Sequence, residues 1–315
     1  MSAEAAAVPE FPVQSVSLSG GWSPGENVYW LDDRRIGLVA RRPAAKGSEY
    51  AFLRVGPDGQ QDIVAELYGE NHCRRPDGQF LFRLFDRTTV LWSTRADSLA
   101  PAAAEALSEC REAAARGLSR FAARFGDLWA LGTDGTFWAG VADRGAAGAE
   151  LLLFDADETA GRWPVDIALG EDIVDIVPLD GQGRFLVYPA FNAQRRADLR
   201  SVLPGIPVWT LAPGSPPELR HVPWADWNAQ GIYRILPVRD GLAFAVAGSR
   251  RAARSFAGIY LESEGWAQAH AADLLPETLA VSPDRCRLAW TERREDARLP
   301  VLMTGDLCKT LPPKS

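Results

Sequence analysis

The feature that most constrains this chain is a six-fold recurrence of one short pattern. A strand, a tight turn carrying Asp and an alternating apolar strand follow one another at VYWLDDRRIGLVARR (28–42), NHCRRPDGQFLFRLFD (71–86), LWALGTDGTFWAGVADR (128–144), DIVPLDGQGRFLVYPA (175–190), YRILPVRDGLAFAVAG (233–248) and LAVSPDRCRLAWTER (279–293). The turn aspartates are Asp33, Asp77, Asp134, Asp180, Asp240 and Asp284, and four of them directly precede Gly. Asp-Gly between β-rich runs is a strong hairpin signal, because both residues tolerate the left-handed backbone that tight turns require. The aspartates lie 44, 57, 46, 60 and 44 residues apart. A base period of about 45 residues matches one four-stranded blade of a β-propeller.

The two long intervals have visible causes. Residues 97–118, DSLAPAAAEALSECREAAARGL, are rich in Ala, Glu and Arg and are bounded by Ser98 or Asp97 as N-cap and Gly117 as stop, so they predict one inserted helix. Residues 189–205, bracketed by prolines, predict a shorter polar excursion before the strand at 208–212. The first unit shows a full set of four strands, at 28–31, 35–41, 49–55 and 62–67, whereas the last runs out after the strand at 301–307. VQSVSL (13–18) alternates well and can supply the missing outer strand. The expected fold is therefore a single all-β domain over 1–315, a six-bladed propeller closed by its N-terminal strand, with seven blades as the alternative. Residues 1–10 are expected to be disordered and 311–315 to form a tail.

Composition suits this reading. Eleven Trp, 22 Pro and 28 Gly combine large core-fillers with turn-formers. Trp30, Trp92, Trp129, Trp138, Trp209 and Trp290 fall in or beside expected strands and are expected to pack between blades. A net charge of −7 argues against broad binding to nucleic acid or anionic membrane, which needs a basic surface. No apolar run is long enough for a membrane span, and the start MSAEAAAVPEFP lacks the regions of a signal peptide. As written the chain is expected to be cytoplasmic. The same small-residue start also resembles the spacer left after signal cleavage, which would make the protein periplasmic.

The repeats LAVSPDRCRLAWTER and HCRRPDGQFLFR resemble the WD40-like, or PD40, repeat of the TolB-type propeller. In that repeat a Ser-Pro-Asp-Gly turn leads into an apolar strand. Ser282-Pro283-Asp284 and Leu288-Ala289-Trp290 match the pattern, with Arg285 where the family usually has Gly; the other four units match only its Asp turn and its alternation. The resemblance implies a propeller used as a binding platform and carries over no catalytic residue.

Cys73, Cys110, Cys286 and Cys308 show no zinc-ligand spacing. Cys286 and Cys308 flank an expected hairpin almost symmetrically, so they can form a disulfide in an oxidising compartment or remain two buried thiols. His72, His221 and His270 belong to different units. There is no nucleophile elbow and no zinc-protease helix. Gly181-Gln182-Gly183 opens a strand and reads as a turn rather than a dinucleotide site. The run Asp155-Ala156-Asp157-Glu158 lacks the later ligands of a calcium loop. Asp32-Asp33 and the acids from Asp172 to Asp175 could be proposed as acid/base carboxylates, with nothing in the sequence to set their separation. Trp224 and Trp227, close together in VPWADWN, are the candidate exposed binding patch. The expectation is a bacterial, monomeric, non-enzymatic scaffold for an unknown protein partner, without cofactor or metal; the alternative is an enzyme or small-ligand binder with a site at the central channel.

Overall fold

The computed structural model describes residues 11–56, 58–75, 77–110, 128–143, 148–155, 159–165, 173–190, 198, 201–223, 233–247, 257–262, 266–294 and 299–309. They form two compact units, one of Met1–Asn71, Leu84–Asp86 and Gly231–Ser315, the other of His72–Arg83 and Arg87–Gln230.

The first unit begins with β1 (Val13–Val16), β2 (Ser23–Trp30), β3 (Ile36–Ala44), β4 (Gly47–Val55) and β5 (Gln61–Arg74), the last of which runs on into the second unit. Strands β2 to β4 pair antiparallel in sequence, and Tyr50–Val55 of β4 pairs with Gln61–Leu67 of β5. Ile36 to Ala40 on β3 are buried without alternation, as expected of a central strand covered on both faces.

In the second unit β6 (Phe80–Leu84), β7 (Thr89–Ser93) and β8 (Ser98–Pro101) pair in order. Two four-stranded antiparallel sheets follow. One holds β9 (Leu128–Thr133), β10 (Trp138–Asp143), β11 (Ala149–Phe154) and β12 (Thr159–Val165); the other holds β13 (Ile173–Pro178), β14 (Phe185–Ala190), β15 (Gly205–Ala212) and β16 (Ser215–Pro223). Their facing residues make one core, with Val141, Leu151 and Leu153 packed against Phe185, Val187 and Trp209.

The chain then returns to the first unit with β17 (Tyr233–Val238), β18 (Gly241–Val246), β19 (Gly258–Glu262) and β20 (Trp266–Ala271), again a four-stranded antiparallel sheet. The last sheet contains β21 (Asp273–Val281), β22 (Arg287–Arg293) and β23 (Val301–Asp306), and its fourth strand is β1: Val13 pairs with Gly305 and Val16 with Leu302. The N-terminal strand thus completes the sheet built from the C-terminus. Without it β23 would present a free edge. Leu302, Ala289 and Val16 pack with Trp22, just before β2, and with Val28, Trp30 and Ile36 of β2 and β3. Trp92, Trp209 and Trp290 are buried, as is Trp30, while Trp138 is half-buried.

The helix expected over 97–118 needs correction at its start. Residues 94–97 are a turn with Asp97 at a φ of 49°, and Ser98–Pro101 pairs with β7, Ser93 opposite Ser98 and Val90 opposite Pro101. The β7 ladder outweighs the local Ala-rich composition, and Pro101 is tolerated on an outer strand where it need not donate. Helix begins only at Ala106, with 106–110 described; the remainder of that prediction, and most of the excursion at 189–205, lie outside the described residues.

Candidate functional site

The turn ends of the first unit are tied together by their own aspartates. Between β2 and β3, Asp32 Oδ1 accepts the N–H groups of Arg34 and Arg35 at 2.8 and 2.7 Å, and Arg35 Nε donates to its Oδ2 at 2.6 Å. Partial burial raises the Asp32 pKa, but these two N–H groups and the Arg35 guanidinium outweigh it and hold the carboxyl below its ordinary value. Asp32 therefore makes the turn, which leaves Asp33 to act between sheets. Its Oδ1 accepts the Asp284 N–H at 2.9 Å, and its backbone carbonyl accepts a hydrogen bond from the Arg287 guanidinium.

The Asp284 turn joins β21 to β22. Burial raises the Asp284 pKa, but the Ser282 hydroxyl, the Cys286 N–H, Arg287 and Arg239 together lower it below the ordinary value. Arg239, from the β17–β18 turn, donates its backbone N–H to Arg285 O at 3.1 Å. Its Nη1 lies 3.7 Å from Cys286 Sγ and 3.6 Å from Cys308 Sγ. Cys286 and Cys308 form a disulfide with Cα atoms 5.2 Å apart, and Leu307 N–H donates to Cys286 O at 2.7 Å beside it.

Next to this corner, a cleft of 530 Å³ opens where the β21–β22–β23–β1 sheet faces the β2–β3 and β4–β5 turns. Residues opposite one another in an antiparallel pair share a face. Ala289, Thr304 and Gln14 therefore stand side by side across β22, β23 and β1, with Leu302 and Val16 one step further into the core. Trp30, Ile36 and Val16 give the cleft an apolar floor, and Arg34, Asp58, Arg287, Asp306 and Lys309 give it a charged rim. Asp306 Oδ2 takes up two of those cations, Arg287 Nε at 3.7 Å and Lys309 Nζ at 3.4 Å. Arg34 and Asp58 have no side-chain hydrogen bond or ion pair with any described residue. Thr304 Oγ1 is buried and makes no hydrogen bond to any described residue.

The second unit has a wider groove of 870 Å³, lined by Arg74, Arg75, Asp77, Glu109, Asp134 and Trp138 among others. Cys110 lies in its wall and is bonded to Cys73, with Cα atoms 6.2 Å apart. Sequence reasoning missed this disulfide, because no hairpin in the sequence relates residues 37 apart. It also missed the 530 Å³ cleft, whose residues come from five separate segments.

Trp224 and Trp227, the candidate patch, lie outside the described residues, as do Asp172 and the segment 156–158 of the acidic run. Asp175 stands on β13. The three histidines stand on β5, β16 and β20. His270 Nε2 is 3.1 Å from Oε2 of the buried Glu292, which also accepts the Trp290 Nε1–H at 3.2 Å. Among the described residues, no three His, Cys, Asp or Glu side chains gather as metal ligands would. No helix among the described residues is long and apolar enough to cross a membrane.

The described residues are thus almost all β, in four four-stranded antiparallel sheets and one sheet of seven strands that runs from β2 to β8. Solved structures similar to the protein include TolB from Acinetobacter baumannii, at 14% identity and a TM-score of 0.44 over 91% of this chain and 66% of that one. An oligogalacturonate lyase from Vibrio parahaemolyticus is similar at 8% identity and a TM-score of 0.45, over 94% of this chain and 93% of that one. An acylaminoacyl peptidase from Pyrococcus horikoshii matches at 9% identity and a TM-score of 0.35, over 88% of this chain and 43% of that one. No protein-family model matches the sequence, and no curated protein matches it.

Proposed function

We propose that the chain is a six-bladed propeller, closed by β1, that serves as a monomeric protein-interaction scaffold in an oxidising compartment. The observation that carries the partner reading is an exposed apolar group on the first unit. Phe85 leaves 74% of its surface in solvent, and Tyr68 and Ile63 on β5 leave 43% and 47%. Phe85 N–H donates to Glu66 O at 3.2 Å, which holds Phe85 against the strand that carries the other two. A Phe so placed gains little from folding, and exposed aromatic residues of this kind serve as anchors for a partner. The oxidising compartment rests on the cysteines. Both pairs among the described residues are disulfides, a usage rare where glutathione keeps thiols reduced.

A photo-crosslinking phenylalanine analogue at position 85 tests the partner reading in the producing cell. It is expected to trap one discrete protein that the same analogue at an exposed control site such as Val202 does not. Phe85→Ser with Tyr68→Ser is expected to abolish capture of that protein at unchanged thermal stability. Equal labelling from both positions, or capture that survives the double substitution, would overturn the docking site.

A further inference from the structure

We infer that the Cys286–Cys308 disulfide is a thiol-exchange site, at which a low-molecular-mass thiol of the glutathione class attacks Cys308 while Arg239 stabilises the departing Cys286 thiolate. Three observations meet at this bond. One sulfur is open to attack, a cation touches both sulfurs, and the backbone around them is held without the bond.

Cys308 is exposed, two residues beyond the end of β23, whereas Cys286 is half-buried in the β21–β22 turn. Thiol–disulfide exchange is a displacement, so the sulfur that solvent reaches takes the incoming thiolate and its partner departs. The bond between Cys286 Sγ and Cys308 Sγ breaks, a bond forms between Cys308 Sγ and the sulfur of the thiol, and the electron pair goes to Cys286 Sγ. The thiol loses its proton to water before the attack. One thiol and one disulfide thus give one mixed disulfide and one thiolate, and no other oxidant or reductant takes part.

Arg239 reaches the bond from the β17–β18 turn, 47 residues before Cys286 and 69 before Cys308. Its Nη1 lies 3.7 Å from Cys286 Sγ and 3.6 Å from Cys308 Sγ, and its guanidinium makes no other hydrogen bond with any described residue. A disulfide sulfur is neutral and a weak acceptor, so a guanidinium adds little to it. A thiolate carries a full charge and is stabilised far more, and a stabilised leaving thiolate departs faster. The acids nearby are each engaged already. Asp306 lies against Arg287 and Lys309, Asp284 accepts the Ser282 hydroxyl and the Cys286 N–H, and Asp33 accepts the Asp284 N–H.

The frame does not depend on the S–S bond. Arg239 N–H donates to Arg285 O at 3.1 Å, which fixes the cation beside the turn. Cys286 N–H donates to Asp284 Oδ1 at 3.0 Å, Cys308 N–H to Asp306 Oδ1 at 3.2 Å, and Leu307 N–H to Cys286 O at 2.7 Å. Arg287 stays paired with Asp306 across β22 and β23. Opening the disulfide therefore leaves Cys286 and Arg239 in place, and a stabilised reduced form is what makes a disulfide exchangeable.

The test incubates the full-length oxidised protein with reduced glutathione, quenches samples in acid and maps them by mass spectrometry, with Cys73–Cys110 as the reference bond in each sample. Glutathione is expected on Cys308, with Cys286 free. Arg239→Gln should slow the opening of Cys286–Cys308 about fivefold relative to Cys73–Cys110, and Arg239→Lys, which keeps the charge, should restore it to within about twofold. In Cys308→Ser the one free thiol, Cys286, should react with iodoacetamide at neutral pH about threefold faster than in Cys308→Ser with Arg239→Gln. A merely structural Arg239 would instead lower the melting temperature of the oxidised protein and move both bonds together. Glutathione found on Cys286, an opening rate unchanged by Arg239→Gln, or no opening while the protein stays folded would overturn the assignment.

Discussion

Asp134 fastens two sheets with one carboxylate: its Oδ1 accepts the Thr136 and Phe137 N–H groups at 2.9 and 2.7 Å within its own turn, and its Oδ2 accepts the Gly183 N–H of the next sheet at 2.7 Å. Gly183 has a φ of 81°, and a Cβ there would come within 2.7 Å of Phe137 and 2.9 Å of Pro213. Only glycine lets the two turns approach this closely. Charged acceptors of this kind contribute about 1.5–3 kcal/mol per lost partner set. Asp134→Ala is therefore expected to lower stability by about 2–3 kcal/mol and Asp134→Asn by about 1 kcal/mol, since the amide retains one acceptor. Gly183→Ala should cost at least as much as Asp134→Ala. Urea unfolding of the three variants checks the order.

In the first unit the same work is divided. Asp32 makes the turn, while Asp33 reaches across to the Asp284 N–H 251 residues away. Aligning the repeats picks out Asp33 as the turn residue, because sequence spacing ranks neighbouring acids by position and not by the direction of their side chains. The hairpins themselves were legible, since Asp-Gly turns and alternation are local. So was the pairing of β1 with β23, which followed from counting strands. The start of the inserted helix was misread because Ser98–Pro101 owes its state to Val90–Ser93, a partner that composition does not reveal. The cleft was illegible for the same reason: Gln14, Arg34, Asp58 and Thr304 meet only through the register of β1 on β23 and the packing of two sheets.

That register gives the second prediction. Removing residues 1–18 strips Val16 from the core, exposes the β23 edge and removes Phe11, which is buried and packs edge-on to Trp290 at 6.5 Å. Burying each such side chain contributes about 1.5–3 kcal/mol. The truncated chain is expected to lose about 3–5 kcal/mol, and Phe11→Ala alone about 3 kcal/mol. Equal thermal melts for the full-length and truncated chains would show that β1 does not hold the last sheet.

Arg285 occupies the position where the repeat usually has Gly, and its φ is 60°. A non-glycine residue in this region costs about 1–2 kcal/mol, against which Gly loses about 0.5–1 kcal/mol more backbone entropy on folding. Arg285→Gly is expected to raise stability by about 0.5–1 kcal/mol in equilibrium unfolding. Arg285→Val, whose branched side chain tolerates this backbone poorly, should lower it.

The two disulfides close loops of different span, with sequence separations of 22 and 37. Chain entropy predicts about 3–4 kcal/mol from each, with the longer loop contributing slightly more. The hairpin around Cys286 and Cys308 keeps its ladder and the Leu307 N–H to Cys286 O bond without the disulfide. Cys286→Ser with Cys308→Ser is therefore expected to lower the melting temperature and retain the far-ultraviolet spectrum of a β protein. Loss of that spectrum would mean the disulfide is required for folding rather than a late clamp.

Asp284 connects this corner to acid stability, and the direction follows from its pKa. The folded-state value lies below the ordinary 3.8, because the Ser282 hydroxyl, the Cys286 N–H and the nearby Arg287 and Arg239 favour the carboxylate more than burial disfavours it. A depressed carboxyl binds fewer protons folded than unfolded, so its contribution is fully present above the unfolded value and is lost as pH falls through the folded one. Wild type should therefore exceed Asp284→Asn in stability by a constant margin from pH 7 to about pH 5, and that margin should shrink below about pH 4. Added salt should narrow the neutral-pH margin, because the Arg287 and Arg239 contributions act across exposed surface. Urea midpoints for both proteins at pH 7, 5, 4 and 3 decide it: a margin that stays flat or widens toward acid would show that Asp284 is not held ionised by this cluster.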